Sequence, residues 1–110
     1  MTLIEISKEY FKTFSNKDLN GLKGMFAEDV SLRDWDIEAK GLEEVLKANG
    51  NIFANVTSIQ VKPLNIYNDK NTVIAELEID VNDGEELLLV TDVIEFGNEE
   101  RICSIRAYKG

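Results

Sequence analysis

The chain has 110 residues, 44% of them apolar and 30% charged, the composition of one globular domain (1–110) able to bury a core. With 21 acidic and 12 basic residues the net charge is −9, a surface that repels phosphate backbones and anionic headgroups, so neither nucleic acid nor membrane is an expected partner. There is no histidine, which removes mechanisms built on an imidazole base or a His-ligated metal, and the single Cys103 cannot form an internal disulfide. No leader-like stretch opens the sequence and no apolar run is long enough to span a bilayer. The expected setting is the cytoplasm.

The first half is helical in pattern and the second half strand-like, which predicts α+β. Leu3, Ser7, Tyr10 and Phe14 recur at helical spacing and predict a helix over Thr2–Phe14. Asp18 is a candidate N-cap for a short second helix carrying Leu19, Leu22, Met25 and Phe26. Val30–Trp35 alternates enough for a short strand. Gly41 opens a third helix with Leu42, Val45, Leu46, Asn49 and Phe53 on one face, and the pair Asn49-Gly50 predicts an early stop.

Long strands follow. Val56–Asn68 is the first, with Pro63 marking an edge or a bulge. After the turn Asn68–Asn71, Val73, Ala75, Leu77, Ile79 and Val81 alternate with Glu76, Glu78 and Asp80 as a half-buried strand should. Asn82-Asp83-Gly84 is a hairpin signal. Leu87–Phe96 is the next strand, and Gly97–Glu100 turns into a last strand over Arg101–Tyr108.

Asp92 breaks the pattern. Side chains alternate faces along a strand, so it shares one with Leu88, Val90, Ile94 and Phe96. A carboxyl on an apolar surface neutralises, pairs with a neighbour or takes part in chemistry. With no histidine available, acid–base work falls to Asp, Glu, Lys, Tyr or Cys103.

The order helix, helix, short strand, helix, strand meander resembles the nuclear transport factor 2-like superfamily, whose SnoaL-like and ketosteroid isomerase-like members share a cone-shaped α+β fold. Asp18-Leu19 through Phe26-Ala27-Glu28-Asp29-Val30 resembles that superfamily's D-L-x-x-L-x-x-x-F-A-x-D-V stretch, and Thr91–Phe96 with Ala107-Tyr108 resembles its last strands. The resemblance covers nearly the whole chain. It implies a curved antiparallel sheet with about three N-terminal helices enclosing a pocket for an apolar small molecule. A superfold of this kind hosts enzymes and binding modules alike.

Ketosteroid isomerase is the functional match implied most directly. It uses a tyrosine in the first helix, a base aspartate after the first short strand and a second aspartate on a late strand, which fall on Tyr10, Asp34 and Asp92. The implied roles are Asp34 as base, with Tyr10 and a protonated Asp92 as oxyanion donors, in cofactor-free proton transfer on a carbonyl compound. The tyrosines that support the catalytic one in that family are replaced by Phe26 and Asn49, and its Asp-Pro step by Asp34-Trp35. Phe14, Phe26, Trp35, Asn49, Phe53, Val90, Ile94 and Arg106 are the expected pocket. The epoxide hydrolases of the superfamily imply another arrangement, Asp–Arg–Asp, for which Arg33 or Arg106 would be recruited.

Simpler roles exist for the same residues. Tyr10 can be a core aromatic, Asp34 a turn former, and Arg106 the partner of a pocket acid or a side chain reaching outward. A non-catalytic binding or dimerisation module is therefore the alternative from another class. Leu87, Leu89 and Val93 alternate with the Asp92 face and predict an apolar outer surface suited to a homodimer.

Overall fold

A computed structural model describes residues 1–110. Helix α1 runs Leu3–Ser15. Thr2 lies outside it as the N-cap in a capping box: its hydroxyl accepts from the Glu5 N–H, and the Glu5 carboxylate accepts from the Thr2 N–H. Helix α2, Leu19–Met25, starts on Asp18, whose carboxylate accepts from the Gly21 N–H. Gly21 has to be small, since a Cβ there would lie 2.5 Å from the Asp18 carboxylate and 2.7 Å from the Thr13 methyl.

The short second helix ends one residue earlier than expected. Phe26 is extended and opens strand β1, Phe26–Arg33, because it aligns beside Ile102 of the last strand. Strand β2, Glu38–Lys40, has no counterpart in the sequence reading; three residues carry too little pattern to signal a strand. Helix α3, Leu42–Asn55, continues through Asn49-Gly50. Glycine inside a helix costs about 1 kcal/mol. Burial of Val45, Asn49 and Phe53 along one face outweighs that.

Strands β3 (Ile59–Asp69), β4 (Thr72–Val81), β5 (Glu86–Phe96) and β6 (Ile102–Lys109) complete the sheet. Its order is β2-β1-β6-β5-β4-β3. An all-antiparallel sheet was expected; the sheet is mixed, because β1 pairs with β6 in parallel across the rest of the chain. Pro63 sits at a register shift in β3, which is an edge strand. Further shifts follow Phe26 in β1 and Glu95 in β5. Bulges of this kind bend a sheet, and this one curves around α1 and α3.

The core lies on the concave side. Phe11, Leu22, Phe26, Leu77, Ile94 and Ile102 are fully enclosed there. Ser15 ties α1 to the edge strand, its hydroxyl accepting from the Val61 N–H at 2.9 Å. No helix is long and apolar enough to cross a membrane.

Candidate functional site

The core does not fill the cone. A cavity of about 290 Å³ remains between the concave face of the sheet and helices α1 and α3. Strand β5 runs along it. Asp92, Val90, Leu88 and Glu86 line it in succession, a span of about 20 Å at the usual rise of a strand. Beyond Asp92 the narrow end is closed by Ile94, Phe96 and Phe26, all buried. Asp92 therefore stands at the floor, and Glu86 marks the mouth.

Of the 22 lining residues 17 are hydrophobic; the others are Asp34, Asp36, Asn49, Glu86 and Asp92. Asp92 is 8% exposed and Asn49 3%. Asp92 forms no ion pair, and neither side chain is sealed away without a partner, so the polar atoms meet the cavity. Burial first, and then the neighbouring Asp34 carboxyl, push the Asp92 carboxyl up to about 7. The Tyr10 hydroxyl is raised far above its ordinary value, chiefly by burial and secondarily by Asp92. It is a neutral hydrogen-bond donor at any working pH.

Tyr10 is held by rings instead of hydroxyls. Phe11, Phe14 and Phe26 surround it with centroid separations of 5.5, 6.2 and 6.0 Å. Phe53 backs Phe14 at 4.9 Å. Aromatic contacts of this geometry fix a ring without consuming the phenol's hydrogen bond.

Asp34 follows β1 directly, and an Asx turn orients it. One of its carboxylate oxygens accepts from the Asp36 N–H at 2.7 Å and from the Ile37 N–H at 2.6 Å. Trp35, 49% exposed, stands beside the cavity with the Lys109 ammonium 5.8 Å from its ring centroid.

Tyr10, Asp34 and Asp92 thus line one cavity, together with Phe14, Trp35, Asn49 and Val90. Four residues expected in the pocket do not line it. Phe26, Phe53 and Ile94 lie in the core behind the wall. Arg106 is on the opposite face, since it pairs in register with the outward-facing Val93 and its guanidinium bonds Glu95. Arg33 makes only a loose exposed contact with Glu38 at 3.9 Å. No arginine reaches the cavity, so the Asp–Arg–Asp arrangement is not assembled.

Sequence reasoning left Asp36 and Glu86 out of the site. Glu86 carried a signal, because it alternates in phase with Leu88, Val90 and Asp92. Asp36 carried none, its place being set by the turn around Asp34.

Solved structures share this architecture. An LEH-like epoxide hydrolase from M. tuberculosis is 18% identical, aligns over 98% of this chain and 82% of its own, and has a TM-score of 0.84. An uncharacterised cystatin-fold protein from Novosphingobium aromaticivorans is 15% identical over 97% of both chains, with a TM-score of 0.85. A protein of ketosteroid isomerase-like fold from Catenulispora acidiphila is 17% identical over 94% of this chain and 84% of its own, with a TM-score of 0.80. Identities this low speak for the fold alone. A comparison with curated proteins finds no match. Residues 7–105 match the SnoaL-like domain, and the chain belongs to that family.

Proposed function

We propose that the protein is a small-molecule enzyme that moves a proton on an apolar carbonyl compound, as ketosteroid isomerases do. The observation that carries this reading is the convergence of Asp34, Tyr10 and Asp92 on one apolar cavity. Asp34 is the base, its side chain pinned by two backbone N–H groups. It takes a proton from the carbon beside the carbonyl and returns it to the γ-carbon. Tyr10 and the protonated form of Asp92 donate hydrogen bonds to the oxygen that becomes an enolate. Donors held in a dry cavity stabilise that charge far better than water would. Asn49 offers a further donor from α3. The chemistry calls for no cofactor.

Turnover of a β,γ-unsaturated ketone, followed by ultraviolet absorbance of the conjugated product, tests the assignment. Asp34→Asn is expected to lower kcat by roughly 10²- to 10⁴-fold, the usual weight of a general base. A parent protein that binds such ketones without converting them would instead be a ligand-binding module.

We also propose that two copies pair through the outer face of the sheet. Leu87 and Leu89 are 59% and 58% exposed there, with Ile74, Tyr67 and Tyr108 on the same face. An apolar surface of this kind on a sheet marks a contact. Light scattering at micromolar concentration is expected to give twice the chain mass, and Leu87→Asp with Leu89→Asp to return it to one chain. A parent mass of one chain ends the proposal.

A further inference from the structure

The lining of the cavity has a second property, separate from the convergence at its floor: every charged side chain in it is a carboxylate. We propose that the cavity selects its substrate by charge, admitting carbonyl compounds whose far end is neutral or carries an ammonium group and excluding those that carry a carboxylate or phosphate. The inference rests on the carbonyl reading above and adds to it the substrate class, with Asp36 and Glu86 as specificity residues.

With the carbonyl at the floor, between Tyr10 and Asp92, the body of a ligand lies along Val90, Leu88 and Ile79, passing Asp36 beside the Asp34 turn, and its far end meets Glu86. Asp92 is the strongest sign that the cavity takes a ligand at all. It is 8% exposed, carries no ion pair, and has no basic residue on the wall beside it.

No basic group belongs to the lining of the cavity; Arg33, Arg106 and Lys109 border a separate hollow on the outer side of Asp34 and Trp35. The Lys17 ammonium donates to the carbonyls of Val56 and Thr57 at 2.7 and 3.0 Å. Lys109 stands over the Trp35 ring. Arg106 bonds Glu95 on the far face of the sheet. A ligand anion inside the cavity therefore meets carboxylates and no cation in the lining itself. Asp36 and Glu86 are both exposed, so their effect is short-ranged and weakens with added salt. The protein's overall charge of −9 works in the same direction.

The test uses three methyl ketones on one fourteen-carbon chain, long enough for the terminal group to approach Glu86, ending in methyl, carboxylate or ammonium and titrated against the fluorescence of Trp35, the sole tryptophan. At neutral pH the carboxylate ketone is expected to bind at least about tenfold more weakly than the methyl ketone, and the ammonium ketone at least as tightly as it. Asp36→Lys combined with Glu86→Lys, both at exposed positions, should abolish or reverse that penalty. A carboxylate ketone that binds the parent as well as the methyl ketone overturns the proposal. So does a penalty that survives the double substitution, or a failure of all three to bind. Turnover is read separately. The charge ranking without turnover removes the isomerase reading and leaves the selection standing; Asp34-dependent turnover without the ranking removes the selection alone.

Discussion

Two carboxyls of strand β5, Asp92 and Glu95, lie on opposite faces of the sheet, and the fold treats them in opposite ways. Glu95 faces out, where the Arg106 guanidinium bonds it, and it keeps about a third of its side-chain surface in water. Asp92 faces in, among Val90, Ile94 and Ala75, with no cation beside it. The outer pair needs nothing further. The inner carboxyl bears a desolvation cost that no protein group offsets, which is why it is pushed up to about 7. A fold tolerates such a group where a ligand repays it.

The difference can be broken from either side, and the largest effect is expected at Asp92. Its folded-state value, about 7, lies above the ordinary 3.8. Stability held by this group is therefore fully present below about 3.8, falls as pH rises towards 7, and levels off above. A gap of that size is worth at most on the order of 4 kcal/mol. Asp92→Asn should flatten the fall, so that chemical denaturation at pH 8 shows the variant gaining on the parent relative to pH 4. An unchanged slope between those pH values would mean that the carboxyl is solvated or paired.

The smaller effect is expected at Glu95. Both partners of its ion pair are over a third exposed, and pairs of that kind are worth about 0–1 kcal/mol. Glu95→Gln should lower the thermal midpoint only slightly, and added salt should erase the difference. A loss well beyond 1 kcal/mol would show that water does not reach this face, and would point to the outer surface being covered by a second copy.

Much of this contrast was legible in the chain. The phase of β5 alone put Asp92 among apolar neighbours, because alternation is a property of any strand. The caps at Thr2 and Asp18 and the bulge at Pro63 also follow local rules. Arg106 was not legible: alternation from the buried Ile102 puts it on the inner face, and the register shift between Glu95 and Phe96 turns it outward. The end of α2 at Met25 and the continuation of α3 past Gly50 were not legible. In both places a partner distant in sequence overrides the local preference: Ile102 for the first, the buried helix face for the second.

The sequence by itself determined the fold class, the acidic surface, the absence of imidazole chemistry and the face on which Asp92 stands. Each of these follows from composition or from a period of two or 3.6 residues, and neither depends on long-range packing. Only the tertiary structure decided that Tyr10, Asp34 and Asp92 share one cavity, that rings hold Tyr10 in place, and that no arginine enters. Those outcomes depend on how α1, the turn after β1 and the curved sheet meet. Asp34 and Asp92, 58 positions apart, become neighbours there through the register of β1 on β6 and β6 on β5, which no local pattern in the chain encodes.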